Sequence, residues 1–141
     1  MTRSTLRTRT TPWNRVRQLF RSEASLPRHC RSHAATATGG RAQNEDRVYR
    51  NDDQRIYLVV DGMGGYRGGA LASQIVVETV PDRLGDALSQ KPLVASSLDQ
   101  SLRTAMENAR REMVSVAAGF PQYGRMGCTL AAAMIVDAAL Y

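Results

Sequence analysis

Apolar residues recur along this chain at several different spacings, and the changes of spacing mark its elements. "DRVYRN" and "RIYLVVDG" flank the polar stretch "DDQ". Two short runs rich in β-branched and aromatic residues around such a turn predict a hairpin. The second run is apolar without interruption from Ile56 to Val60, which predicts a strand central in its sheet. Upstream, "SHAATATGG" has the small and β-branched composition of a modest strand running into a Gly-Gly break. From Ala70 the spacing turns helical, with Leu71, Ile75, Val76 and Val80 apolar, and Pro81 predicts the end of that helix. A second and longer stripe follows through Leu98, Leu102, Ala105, Met106, Ala109, Met113 and Val116. Ser96 or Ser97 is placed to cap it, Asp99 falls in its first turn, and Gly119 with Pro121 ends it. The closing "GCTLAAAMIVDAALY" predicts a long apolar strand, alone or with the start of a hairpin partner.

Composition bounds this picture. A chain of 141 residues accommodates one domain with a real core and is short for two. No apolar run approaches the ~20 residues of a membrane-spanning helix. The net charge of +6 is unevenly placed: residues 1–40 hold eight Arg and one Glu, and the remainder holds eleven basic against twelve acidic groups. The basicity therefore says nothing about what the domain binds, and no nucleic-acid partner is expected. Residues 1–32 read as a basic, disordered leader, and residues 33–141 as the domain. Within the leader, Trp13, Val16, Leu19 and Phe20 share one helical face, so contact with an anionic membrane or a transit function is the alternative. Cys30 and Cys128 are too few and too unpatterned for a disulfide framework or a zinc site. Two reduced thiols in a cytoplasmic protein is the expectation.

The candidate chemistry lies in "YLVVDGMGGYRGG", where a strand ends on Asp61 and five glycines follow. A dinucleotide fingerprint needs a third glycine where Arg67 stands, and an aspartate at the mouth of a pyrophosphate pocket repels its ligand. No Gly-Lys-Ser/Thr occurs for a P-loop. Two readings remain. In one, Asp61 caps the following helix, Glu45 and Asp46 are surface charges and Arg41 is a solvated loop residue. In the other, Asp61 is aimed by its strand at a hard cation such as Mg²⁺ or Mn²⁺, with glycines admitting a backbone carbonyl beside it. A second acid then comes from "RAQNEDRVY", as Glu45 or Asp46, and Arg41 offers a planar fork to phosphate oxygens. Two acids and an arginine suggest metal-assisted phosphoryl chemistry. Composition and spacing alone leave both readings open.

"RAQNED" followed by "VVDGMGGYRGGALAS", and later "MGCTLAAAMI", resembles the N-terminal half of the metal-dependent protein phosphatases of the PPM, or type 2C, serine/threonine class in their bacterial form. The resemblance covers residues 33–141 in order and spacing. It implies an α+β fold, part of an α-β-β-α sandwich of antiparallel sheets, with two helices on one face. It also implies two Mn²⁺ or Mg²⁺ ions in the complete site. Carried over by residue, it makes Arg41 the phosphate-binding arginine, Glu45 and Asp61 metal ligands, the Gly62 carbonyl a further ligand, and Asp46 the acid that hydrogen-bonds the metal-bound water. The implied reaction is attack of water on a phosphoserine or phosphothreonine ester of a protein phosphorylated by a serine/threonine kinase.

Tyr66 stands where the family usually has His, Ala70 where it often has an acid, and Cys128 where it has Thr. The family's later motifs, with two further metal-ligating aspartates, belong beyond Tyr141. The expectation is therefore a truncated domain with about half a metal site and half a sandwich, one sheet face uncovered, and an isolated chain that is unstable or inactive. The alternative is a catalytically inactive module that binds a phosphoprotein or regulates a partner.

Overall fold

The structure, a computed structural model, describes residues 30–64, 68–89, 95–136 and 139–141. The stripe from Trp13 to Phe20 lies outside these residues, as does Tyr66. The elements run β1 (Asp46–Asn51), β2 (Ile56–Met63), α1 (Gly68–Ser89), α2 (Ala95–Gly119), a 3-10 turn (Pro121–Tyr123), β3 (Gly127–Val136) and β4 (Ala139–Leu140). The strands form one antiparallel sheet in the order β1-β2-β3-β4, so β2 is internal as its apolar run predicts. The β1–β2 loop closes with Arg55 in the left-handed region (φ 58°) and the Gln54 amide donating to Asn51 Oδ1 at 2.9 Å. Gln54 and Asn51 also join through their side-chain amides.

Both helices lie on one side of the sheet. Ile56, Leu58 and Val60 of β2 and Met134 of β3 meet Ile75, Val76, Val80 and Leu84 of α1, and Leu98, Ala105 and Ala109 of α2 complete the core. Helix α1 packs on the strands, and α2 packs mainly on α1. Burying each such aliphatic side chain contributes about 1.5–3 kcal/mol before the entropy of ordering is counted. Among the described residues nothing covers the opposite sheet face. Val59 is 58% exposed beside Val60 at 0%, because strand neighbours point to opposite faces. The uninterrupted apolar run thus marks an internal strand with only one face covered.

Four details depart from the sequence reading. Pro81 does not end α1, which runs on to Ser89 with Pro81 buried inside it. One helical hydrogen bond is forfeited there, about 3 kcal/mol by the usual penalty, and burial of Val80, Pro81 and Leu84 on one stripe offsets it. Residues 33–38 form no strand; no described segment pairs with them. Ser96 and Ser97 fall inside α2 rather than before it, and Asp99 lies past the first turn, accepting from Arg103 Nε at 3.1 Å. Met106 is 48% exposed, since the contact with α1 follows the narrower line Leu98, Ala105, Ala109. The last residues of the basic segment are tied down: Ser32 donates from its amide (3.0 Å) and its hydroxyl (2.5 Å) to the Asp52 carboxylate. Those bonds hold Asp52 below the usual carboxylate range. Cys30 and Cys128 are both free thiols. Among the described residues no helix is long and apolar enough to cross a membrane.

Candidate functional site

The β1–β2 register sets Asp46 directly opposite Asp61. Directly opposed residues of antiparallel strands emerge on the same face. Since Ile56, Leu58 and Val60 face the helices, the alternation sends Asp61 to the open face, with Thr129 of β3 on its other flank. Two like charges in this position repel and destabilise the pairing unless a cation or donors lie between them.

The segment before β1 is shaped to bring its side chains to the same place. Gly39 adopts φ 62°, a left-handed conformation, and the Arg41 amide donates to the Thr38 carbonyl at 3.3 Å across the turn. Asn44 Oδ1 accepts from the Asp46 amide (2.9 Å), a side-chain turn that starts the strand. Asn44 Nδ2 donates to Thr36 Oγ1 at 3.0 Å. The outcome is a polar cleft of about 180 Å³ lined by Arg41, Asn44, Glu45, Asp46 and Asp61. Arg41 and Asp61 are exposed; Glu45 and Asp46 are partly covered.

Beneath the cleft three backbones converge. A Cβ on Gly62 would stand 2.2 Å from the Gly69 carbonyl oxygen and 2.5 Å from that of Glu45. A Cβ on Gly69 would stand 2.8 Å from Glu45 Oε2. The glycines are therefore demanded by proximity: only without side chains can β2, the start of α1 and the acid-bearing loop approach so closely.

All five predicted site positions are thus neighbours. Arg41, Glu45, Asp46 and Asp61 share the cleft, and Gly62 packs beside Glu45. Asp61 does not cap α1, which begins seven residues later at Gly68. The oxygen donors suit a hard divalent cation, of which Mg²⁺ characteristically uses one or two carboxylates and completes its shell with water and phosphate. The described residues gather no group of three or more carboxylate, histidine or cysteine side chains able to hold a metal. The fit is of donor type alone: carboxylates line the cleft, but three of them do not gather at one point.

Three neighbours escaped the sequence reading. Ser73 of α1 is fully buried and donates to the Glu45 carbonyl at 2.6 Å. Arg47 donates from Nη1 to the carbonyls of Asp46 (2.8 Å) and Asn44 (3.2 Å), and from Nε to Gln74 Oε1 (3.1 Å). The available signal was a lone hydroxyl, Ser73, among the apolar positions of an amphipathic helix. Ala70, where the family often has an acid, is buried. Cys128 packs against the core edge, where burial pushes its thiol up.

Residues 33–141 match the family model described as Protein phosphatase 2C. The chain is 34% identical over 100 residues to the serine/threonine phosphatase stp of Listeria monocytogenes, covering 69% of this chain and 39% of that protein. A Listeria welshimeri counterpart is 34% identical over 98 residues, 67% of this chain and 38% of its own length. Among solved structures, the Mycobacterium tuberculosis serine/threonine phosphatase PstP/Ppp superposes with TM-score 0.53 at 28% identity, over 77% of this chain and 40% of that one. The PstP catalytic domain in complex with two manganese ions gives the same score and identity, over 77% and 41%. The chain spans about two fifths of the length of these relatives.

Proposed function

Because this chain belongs to the protein phosphatase 2C family, we propose that its cleft is the first part of a metal-dependent protein serine/threonine phosphatase centre, and that residues 33–141 are the unit that builds it. The observation that carries this reading is the placing of Asp46 opposite Asp61 in a cleft that also receives Glu45 and Arg41. Glu45 and Asp61, with the Gly62 carbonyl, would hold Mn²⁺ or Mg²⁺. When bound, such an ion lowers the pKa of water toward neutrality and neutralises charge on a phosphoryl group. Arg41, exposed at the cleft, orients the phosphate of a phosphoserine or phosphothreonine side chain through its planar fork. Asp46 accepts a hydrogen bond from the attacking water and aligns it with the phosphorus. Substrates would be proteins phosphorylated by a serine/threonine kinase, in the cytoplasm, and residues 1–32 would lie outside the catalytic unit.

The test is hydrolysis of a phosphothreonine peptide by the purified chain, with and without Mn²⁺. Phosphate release that requires Mn²⁺ and is lost in Asp61→Asn is the result that supports the enzyme. Peptide binding weakened by Arg41→Ala, without release, would instead identify a phosphoprotein-binding module. Neither binding nor release would overturn both.

A further inference from the structure

Glu45 immediately precedes β1 and Asp46 opens it, and the backbone there is gripped from below at three consecutive carbonyls. Asn44 and Asp46 each offer their carbonyl to Arg47 Nη1, at 3.2 and 2.8 Å, and Glu45 offers its own to Ser73 Oγ at 2.6 Å. Both donors belong to the side of the sheet facing α1. Arg47 pairs with Val60 in the ladder, a core-facing position, and its Nε is anchored on Gln74. Ser73 and Gln74 are consecutive residues of α1.

A peptide group is planar, so fixing its carbonyl fixes the plane. The carbonyls of residues 44, 45 and 46 belong to the three peptide planes that bracket the α-carbons of Glu45 and Asp46. Fixing all three sets φ and ψ at both residues, and hence the directions in which their carboxylates leave the backbone. Ser73 has a single proton to give. Its other neighbour, the Ala70 carbonyl at 3.1 Å, is the more distant of its two acceptors. The Ser73 side chain is 0% exposed, and a buried hydroxyl is kept only where its hydrogen bond offsets its desolvation.

We propose that Ser73 and the Gln74–Arg47 pair are positioning residues of the site: helix α1 uses them to aim Glu45 and Asp46 into the cleft. This rests on the reading of the cleft as a cation and phosphate centre. It assigns to α1 a role beyond covering the core. The glycine junction of Gly62 and Gly69 supplies the closeness, and these side chains supply the orientation.

The experiment is a Mn²⁺ titration of the 141-residue chain followed by paramagnetic broadening of the Glu45, Asp46, Asp61 and Gly62 amides, with amide exchange measured metal-free. Variants are Ser73→Ala, Gln74→Ala and Gln74→Glu, with Val80→Ala as a core truncation remote from residues 44–46. Ser73→Ala and Gln74→Ala are expected to speed exchange at residues 45–47 and to weaken Mn²⁺ binding about fivefold, the loss of one hydrogen bond's worth of alignment. Gln74→Glu, which keeps the acceptor for Arg47, is expected to restore wild-type affinity. Val80→Ala is expected to lower the melting temperature without changing Mn²⁺ affinity. Equal weakening by Val80→Ala, or unchanged exchange at residues 45–47, would overturn the proposal. Should Ser73→Ala fail to fold, the Gln74 pair carries the same test from a half-buried position. Wild-type amides untouched by Mn²⁺ would overturn the cation reading itself, and the role in the site with it, a result distinct from failure of the grip.

Discussion

Asp46 and Asp61 face each other across the β1–β2 ladder, one opening its strand and the other near the end of its own. Opposed like charges weaken a strand pair by about 0.2–1 kcal/mol. A chain that keeps both is holding them for something other than its own stability. Asp61→Asn should therefore raise the melting temperature of the metal-free chain while abolishing any stabilisation by added Mn²⁺. Thermal melts of both forms, with and without the ion, check this. A lower melting point for Asp61→Asn without metal would show that the pair is not strained.

The glycine junction makes a sharper demand. A methyl at Gly62 would lie 2.2 Å from one backbone oxygen and 2.5 Å from another, and neither can move without shifting a strand or a helix start. Overpacking of this kind usually costs about 1–3 kcal/mol, and rigid backbone on two sides places Gly62→Ala at about 3. Gly119→Ala, at the end of α2 with nothing within 4 Å of the added carbon, should be neutral or slightly stabilising. Denaturant midpoints of the two variants are the measurement.

What was legible in the sequence was local. The hairpin follows from "DRVYRN", a polar turn and "RIYLVVDG", and its register then fixes which acids meet. The candidate site positions were named through a resemblance, because the acids, the arginine and the glycines fall in two short motifs. What could not be read was decided by contacts between distant segments. Pro81 is a helix breaker by its own chemistry, yet α1 continues because Leu84 has a core to enter. Residues 33–38 have strand composition but no described partner, and composition cannot supply one. Ser73 is an unremarkable polar residue until its hydroxyl is seen against the Glu45 carbonyl, 28 positions away.

The two adjacent valines test the open face. Val60 is fully enclosed against α1 and Val59 is 58% exposed on the uncovered side. Val60→Ala should cost about 2–3 kcal/mol, through lost transfer energy and a cavity that the sheet cannot close. Val59→Ala should fall within about 0.5 kcal/mol of wild type. Equal losses at the two positions, measured by denaturant unfolding, would mean that something covers the second face in solution.

Helix α2 carries a pH signature of its own. Glu107 accepts from Arg110 through Nε and Nη2, both at 2.8 Å, and from Arg111 at 3.3 Å. The Arg110 hydrogen bonds, then its charge and that of Arg111, hold the Glu107 carboxyl at about 2 against an ordinary 4.5. A carboxylate depressed in the folded state stabilises it above the unfolded value, and that stabilisation is lost as pH falls through the folded value. The window is therefore from about 4.5 down to about 2. These groups are solvent-exposed, so the effect is small and screened. Melting temperatures of wild type and Glu107→Gln should differ in favour of wild type at pH above this window and converge as it is crossed. In roughly 1 M salt, where the screening length is about 3 Å, the difference should shrink at every pH. A gap of the same size at the acid end would show that the Glu107 charge does not cause it.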